Sequence, residues 1–115
     1  EALTQGVVDG TRTVLLACDT AYPEPLYSAR PIPDAFGIAL VLAPQRSAQA
    51  LAQITVSLTD ANVDRLDDAA LENLRRSIPA ARGLPLLRAI SLKQNQPVVL
   101  DYLDSTRLAV TITLC

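Results

Sequence analysis

The stretch TVLLACD, residues 13–19, constrains the fold of this chain more than any other segment. It is apolar at consecutive positions, where a strand on a protein surface would alternate between apolar and polar side chains. Because neighbouring side chains of a strand point to opposite faces, we expect this strand to be covered on both faces. A second continuous apolar run, FGIALVLA at 36–43, ends at Pro44 and predicts a similar strand. Together the two runs indicate the central strands of a layered α/β sheet.

Two segments flank the first of these strands. EALTQGVV, residues 1–8, is typical of the end of a helix, for which Gly6 or Gly10 would supply the left-handed stop. After the strand comes the loop AYPEPLYSARPIPD, residues 21–34. Its prolines fix φ and remove backbone donors, so we expect this loop to be stiff and without regular structure. The prolines are Pro23, Pro25, Pro31 and Pro33.

Two later segments alternate between apolar and polar side chains, which predicts half-exposed strands. They are LAQITVSLTD at 51–60 and RLAVTITL at 107–114. PVVLDYL at 97–103 and a tight DST turn precede the second of them, so we expect the chain to end in an antiparallel hairpin. The apolar face of the first strand is expected to carry Ile54, Val56 and Leu58.

Between those strands, two segments predict helices. DDAALENLRRSI at 67–78 carries leucine or isoleucine at every third or fourth position, which is typical of an amphipathic helix. ARGLPLLRAISL at 81–92 fits a shorter helix that begins near Pro85. The resulting order is a helix end, three strands, two helices and two strands, an α/β or α+β layer. The side chains expected to face inward are Leu71, Leu74 and Ile78 in the first helix, then Leu84, Leu87 and Ile90 in the second.

The residue types in the chain exclude several kinds of chemistry. The sequence contains no His, which excludes Ser-His and Cys-His mechanisms within it and His-ligated metal. It has no phosphate-binding glycine motif and no metal-spaced cluster, so we expect no cofactor. A net charge of −2, with only three Tyr and one Phe, offers neither a positive stripe nor a stacking platform for nucleic acid. No apolar run reaches the roughly 18–20 residues of a membrane helix, so we expect a soluble protein without membrane insertion.

The cysteines and the missing methionine bear on cellular context. Cys18 lies inside the apolar strand and is expected to be a small buried side chain, whereas Cys115 ends the final strand. A disulfide between them stays open, but two cysteines in a chain of this size favour a reducing cytoplasm. Because the sequence has no Met, Glu1 is not a translation start, and we expect an upstream segment to precede it.

TRTVLLACDTAYPEPL and FGIALVLAP resemble the β-ketoacyl synthase-like family, a truncated relative of the ketosynthase N-terminal half with the thiolase fold. SIPAARGLPLLRAI and RLAVTITL are similar to the tail of that family. The resemblance covers nearly the whole chain. It implies that residues 1–115 are the C-terminal portion of one thiolase-like domain whose upstream portion is absent. The position of the nucleophilic Cys would then lie before Glu1.

The resemblance also implies a role. The family is found in bacterial gene clusters that make aryl polyene pigments and related lipids on acyl carrier proteins. By this resemblance the chain is part of a non-catalytic ketosynthase partner, like a chain length factor. Such a subunit pairs with an active ketosynthase and helps to shape the acyl tunnel. The implied partners are the upstream half of the domain, a ketosynthase subunit and an acyl carrier protein.

Two other hypotheses stay open. The chain can belong to a condensing or acyl-transfer enzyme whose nucleophile lies in the missing upstream segment, in which case the intact protein would carry an acyl adduct. Alternatively it is an unrelated small α+β binding or structural module, complete at 115 residues. Apolar strands left exposed would count against that module, since uncovered strands aggregate.

The proline-rich loop is the main candidate site. Ligand crevices of open α/β sheets lie beyond the carboxyl ends of strands, and this loop follows the first strand directly. It could line an acyl tunnel or contact a partner subunit, and the alternative is a stiff surface connection. The residues concerned are Tyr22, Pro23, Glu24, Pro25, Leu26 and Tyr27.

Charged residues supply weaker candidates. Arg82 and Arg88 could contact an acidic acyl carrier protein, but we favour the alternative that they are solvated structural arginines. Asp19, at the end of the first strand, is either a functional carboxylate or, as we favour, a cap. Asp101 and Asp104 could serve as an acid–base pair, although hairpin ends commonly carry Asp.

Overall fold

In a computed structural model of the protein, which describes residues 1–115, the chain is an α/β domain with two antiparallel sheets. The α/β class and the order of elements are as predicted, with two additions, the helix α2 and the 3₁₀ helix η1. The helices are α1 (Ala2–Asp9), α2 (Leu26–Ala29), α3 (Ala69–Ser77), the 3₁₀ helix η1 (Pro79–Gly83) and α4 (Leu84–Ser91). The strands are β1 (Thr13–Asp19), β2 (Phe36–Leu42), β3 (Ala52–Thr59), β4 (Val98–Leu100) and β5 (Arg107–Leu114).

The two sheets differ in size and in cover. β1 and β2 form a two-stranded antiparallel sheet, in register from Thr13 opposite Leu42 to Asp19 opposite Phe36. The other sheet has three strands in the order β3-β5-β4, with both pairs antiparallel. The pairing of β4 with β5 confirms the closing hairpin. The fold therefore places the alternating strands in one sheet and the continuously apolar strands in the other.

The three-stranded sheet packs on α4 and forms the larger core. Leu86 and Ala89 of the helix are buried against Val98, Val110 and Ile112 of the strands. The residues expected to face inward in α4, Leu84, Leu87 and Ile90, are only partly buried. Ile90 packs against this core and Leu84 against the smaller core described next. Leu58 also departs from expectation. It lies on the apolar face of β3 with Ile54 and Val56, yet it is 66% exposed.

A second, smaller core joins the helices to β2. Ile32, Ile78 and Ala81 are buried together there, with Phe36 and Leu74 packed against them. The N-terminus of α3 is capped by Asp68, whose carboxylate accepts a hydrogen bond from the Leu71 backbone N–H at 2.9 Å. The helix ends before Pro79, as predicted, and the chain continues directly into η1.

One glycine ends α1, and another allows α1 to approach β1 closely. Gly10 adopts φ 65°, the left-handed conformation that ends the helix, as predicted for one of the two glycines. Gly6 lies inside α1, and a Cβ at this position would be 3.1 Å from the Thr13 Oγ1 and 3.3 Å from the Thr11 carbonyl oxygen. The absence of a side chain at Gly6 therefore sets the distance between α1 and the first strand.

The proline-rich loop contains one helical turn, which sequence analysis did not anticipate. α2 lies between Pro25 and Pro31, where no proline interrupts the backbone. The Glu24 carboxylate accepts hydrogen bonds from the Ser28 hydroxyl at 2.7 Å and from the Ser28 N–H at 3.3 Å. The Glu24–Pro25 peptide bond is cis. The prolines thus exclude regular structure at their own positions but leave room for a short helix between them.

Candidate functional site

The β1–β2 sheet has one covered face. Residues directly opposite each other in an antiparallel pair share a face, so Thr13 and Leu42 lie on the same side as Asp19 and Phe36. Gly6 of α1 approaches Thr13, and Phe36 packs against the core around Ile78. The remaining odd-numbered residues of β1 and even-numbered residues of β2 share this side. Helix α1 and η1 therefore both cover the same side of the sheet.

The other side of the sheet, which we call the open face, is uncovered. Its side chains come from alternate positions of both strands, and all of them are exposed. The largest are Val14, 60% exposed, and Leu16 and Val41, each 71% exposed. The open face consists of Val14, Leu16, Cys18, Gly37, Ala39 and Val41. It is apolar throughout, so it is a surface of the type that proteins normally bury.

This arrangement corrects the expectation that β1 would be covered on both faces. The helices that could form a second layer are engaged elsewhere, because α4 packs on the three-stranded sheet and α3 packs around Ile78. Cys18 was expected to be buried, and this was wrong, since it lies on the open face. Cys18 and Cys115 are both exposed free thiols.

The free edge of β1 is open as well. Leu15 lies on the covered face, yet it is 40% exposed, whereas Leu40 directly opposite it on β2 is partly buried. Three consecutive residues, Val14 to Leu16, are thus exposed, with side chains that point to both faces. Because the sheet has only two strands, the outer edges of β1 and β2 both lack a strand partner.

Asp19 ties this sheet to the rest of the domain. Its carboxylate Oδ2 accepts a hydrogen bond from the Ala80 backbone N–H at 2.6 Å, at the first turn of η1. The preference for a capping role over a free carboxylate is therefore confirmed. Because Asp19 ends β1 and Ala80 belongs to the helical layer, this contact holds the covered face against η1.

The proline-rich loop lies on the surface except at Ile32, which is buried with Ile78 and Ala81. Every residue from Thr20 to Pro31 is exposed, including Tyr22 and Tyr27, which are 36% and 37% exposed. The Tyr27 N–H donates to the Pro23 carbonyl at 3.2 Å, so the loop folds back on itself. It presents two half-exposed phenol rings and the apolar Leu26 to the surroundings. Its assignment to an acyl tunnel or to a partner contact stays a prediction.

The two candidate arginines have different environments. Arg88 donates through Nη2 to the Asp67 carboxylate at 3.0 Å, and Asp67 is itself strongly exposed. Arg82 is exposed in η1 and makes no ion pair. Arg88 lines a polar depression beside Asp64, Arg65 and Asp67, where charges of both signs are present. Contact of Arg82 or Arg88 with an acyl carrier protein stays a prediction.

Asp101 takes part in an ion-pair cluster, while Asp104 is exposed. Arg75, with a side chain only 9% exposed, donates to both oxygens of Glu72 at 2.7 and 2.8 Å and to Asp101 at 2.8 Å. Glu72 also accepts the Leu66 backbone N–H at 3.0 Å. The hydrogen bond from Arg75, followed by that from Leu66, lowers the pKa of Glu72 to about 2, and pairing with Glu72 raises the pKa of Arg75.

This cluster was not identified from the sequence, and its role is structural. It links α3 to the end of β4 and to the loop that precedes α3. The sequence pattern cannot show this link, because Asp101 is far from Arg75 in the chain.

The free edge of β4 is also covered by another part of the chain. Asp64 accepts the Val99 N–H at 2.8 Å through its carboxylate and donates its own N–H to the Val99 carbonyl at 3.0 Å.

Comparison with family models, with curated proteins and with solved structures gave no significant match. No cluster of His, Cys, Asp and Glu side chains has the arrangement needed to hold a metal ion. None of the helices is both long enough and apolar enough to cross a bilayer.

Proposed function

We propose that the chain belongs to a non-catalytic ketosynthase-like subunit that pairs with an active ketosynthase during acyl-carrier-protein-dependent polyene or fatty-acid-like synthesis. The observation that carries this proposal is the uncovered apolar sheet of β1 and β2. A surface of this kind is stable when another polypeptide covers it. The function of the chain is then exercised within a larger assembly.

The positions of the family-like segments within the fold support the proposal. VLLAC forms β1 and leads directly into the exposed proline-rich loop. PAARGLPLLRAI forms η1 and α4, and RLAVTITL forms β5. Of these segments, the one that forms β1 contributes to the open sheet, and those that form α4 and β5 pack together in the larger core.

The open sheet also bears on the competing hypotheses. A small self-contained module would be expected to cover its apolar strands, which the β1–β2 sheet does not do. The condensing or acyl-transfer alternative needs a nucleophile outside residues 1–115. It predicts an acyl adduct on the intact protein after incubation with acylated carrier protein, which mass spectrometry would detect.

The test of the proposal is co-expression with an authentic ketosynthase and its acyl carrier protein. We expect the tagged chain to copurify with the ketosynthase and its presence to change the length of the acyl product. Absence of pairing, together with an unchanged product length, would contradict the proposal. Within this assay, Tyr22→Ala and Tyr27→Ala variants test the loop: a role in the tunnel predicts altered chain length with pairing retained.

Arg82→Glu and Arg88→Glu test the contact with the carrier protein in the same assay. If either arginine binds an acidic carrier protein, charge reversal weakens carrier binding and lowers its sensitivity to salt. Arg46→Glu is the matched control, because Arg46 is also exposed but lies in the connection between β2 and β3. An equal effect at all three positions would indicate a general charge effect instead of a docking site.

A further inference from the structure

The three-stranded sheet has one sealed edge and one free edge. At the outer side of β4, the Asp64 backbone and carboxylate pair with Val99. At the other end of the sheet, the outer side of β3 bonds to no other part of the chain. β3 contains no charged residue and no proline, although these are common means of protecting an exposed edge. The free edge of β3 is therefore suited to pairing with another strand.

Two hydrogen bonds at the end of β5 show which backbone groups lie on the free edge of β3. The Cys115 N–H donates to the Leu51 carbonyl at 3.3 Å, so this opposite pair is a hydrogen-bonded position of the β3–β5 ladder. The next N–H, that of Leu114, donates away from β3 to the Asn95 side chain at 2.9 Å. Because bonded and non-bonded pairs alternate in an antiparallel ladder, every second residue of β3 directs its N–H and C=O outward. These residues are Ala52, Ile54, Val56 and Leu58.

We propose that β3 pairs antiparallel with β3 of a second copy of the chain, about a two-fold axis that passes beside Thr55. The three-stranded sheets of the two copies then form one continuous sheet of twice the width. This inference goes beyond the proposed function, because it concerns an interface of the chain with itself, whatever the activity of the assembly. It also leaves the open face of the β1–β2 sheet free for a different partner.

The position of the axis follows from the outward backbone groups. With the axis at Thr55, Ala52 lies opposite Leu58 of the second copy, and Ile54 lies opposite Val56. Each of these opposite pairs exchanges two hydrogen bonds, so the four outward residues of each copy make eight bonds across the axis. Moving the axis to Ile54 leaves Leu58 without a partner inside the strand, and moving it to Val56 does the same to Ala52. The axis at Thr55 therefore uses every outward group.

The side chains on the α4 face of the sheet match in this register. Leu58 is 66% exposed in the single chain, whereas Ala52 is small and packs against the larger core. Their opposition places the exposed leucine of one copy beside the core of the other. The β-branched side chains of Ile54 and Val56 lie opposite each other, which is a favourable cross-strand pair. The apolar faces of both copies thus join on one side of the sheet.

The polar face and the size of the contact agree with the same register. Gln53 lies opposite Ser57 of the second copy and Thr55 lies opposite itself, so hydroxyl and amide groups face each other. Since β3 has no charge, two-fold pairing brings no like charges together. At the usual density of about one hydrogen bond per 100–200 Å², eight bonds correspond to roughly 800–1,600 Å² of interface, which overlaps the range of specific complexes.

Sedimentation velocity of the purified protein, over a range of concentrations and without a ketosynthase, measures the association directly. We expect the mass of two chains at high concentration and reversible dissociation on dilution. The mass of a single chain at every concentration at which the protein stays in solution would overturn the proposal. Because no ketosynthase is present, this result is separate from success or failure of the proposed function.

A charge placed on the axis tests the register. Thr55→Lys brings two ammonium groups together across the axis, which should weaken the dimer by about tenfold or more. Thr111→Lys is the matched control, because Thr111 lies directly opposite Thr55 on β5 and is exposed on the same face, but is one strand further from the axis. It should leave association almost unchanged, and a mixture of Thr55→Lys with Thr55→Glu should associate again. Equal weakening by the two lysine variants, or none by Thr55→Lys, would overturn the proposal.

A disulfide tests the distance across the axis. Thr55 is a non-hydrogen-bonded position of the new pair, where opposite Cα atoms lie about 4.5 Å apart, within reach of a disulfide. In a Cys18→Ser, Cys115→Ser background we expect mild oxidation to link two Thr55→Cys chains. Thr111→Cys chains should not be linked, because three strand spacings of roughly 4.8 Å separate them. Equal linking of both variants, or linking of Thr55→Cys only to a different protein in a cell extract, would overturn the proposal.

Residue-resolved hydrogen exchange gives a signature of strand pairing. We expect the outward amides of Ile54, Val56 and Leu58 to exchange slowly in the dimer and faster on dilution. The amides of Thr55 and Ser57 should be slow in both states, since they bond to β5. Increased exchange at consecutive residues, without this alternation, would indicate a contact other than strand pairing and would overturn the proposal.

Discussion

Replacing Ile78 by Ala should destabilise the domain strongly, because this side chain is the centre of the core that joins the helices to β2. Ile78 is 0% exposed and packs with Ile32 and Ala81. The substitution removes three carbons, and their transfer contributes about 2.4 kcal/mol at ~0.8 kcal/mol each. The cavity left behind adds to this cost, because residues held by α3 and η1 can collapse only in part. We expect a loss of about 3–4 kcal/mol, within the range of buried Ile-to-Ala substitutions.

Urea unfolding followed by far-ultraviolet circular dichroism measures this loss as a shift in the transition midpoint at constant slope. Leu51→Ala is the matched control, because it also removes three carbons but from a side chain that is 77% exposed. The control should change stability by no more than about 0.5 kcal/mol. If Ile78→Ala cost less than about 1 kcal/mol, or no more than the control, the assignment of Ile78 to a packed core would be refuted.

Three further predictions concern contacts described above. The lowered pKa of Glu72 means that its charged form stabilises the fold above about pH 4.5, and that this contribution is lost as pH falls towards 2. Urea unfolding midpoints measured between pH 6 and 2 should show this loss. For Glu72→Gln the midpoint should depend less on pH. Gly6→Ala should lower the melting temperature, because the new Cβ meets oxygen atoms near 3.1–3.3 Å, whereas Gly83→Ala has open space and should be neutral or slightly stabilising. Asp19→Ala should cost about 1 kcal/mol by removing the acceptor for the Ala80 N–H, while Asp19→Asn, which keeps an acceptor oxygen, should cost less; equal losses would argue against this hydrogen bond.

Local signals explain which elements were predictable. The spacing of leucines in α3, the Asp68 cap before it and Pro79 after it all act within a few residues, so they can be identified without knowledge of the fold. The alternation in β3 and β5 is local in the same sense. Local signals do not show which strands share a sheet, because the pairing of β3 with β5 joins segments about fifty residues apart in the chain.

The candidate sites divide in a similar way. The capping role of Asp19 was preferred from its position at a strand end, yet its partner in η1 depends on the tertiary fold. A stiff surface connection was one alternative for the proline-rich loop, and the structure exposes residues 20–31, whereas the burial of Ile32 depends on the tertiary fold. The ion-pair cluster of Arg75 was not foreseeable, because nothing local distinguishes this arginine from its neighbour Arg76. The two arginines differ because Arg75 lies on the buried side of α3 and Arg76 on the exposed side.

By itself, the sequence determined the type and approximate bounds of most elements, since hydrophobic period, caps and prolines act over one or two turns of chain. It also determined that β1 is apolar on both faces. Only the tertiary structure decided that α1 and η1 cover one of those faces and leave the other open. The physical reason is that each helix has one apolar side to bury, and α3 and α4 bury theirs around Ile78 and on the three-stranded sheet. The remaining short helix, α2, is exposed and buries none of its residues, so Val14, Leu16 and Val41 stay uncovered.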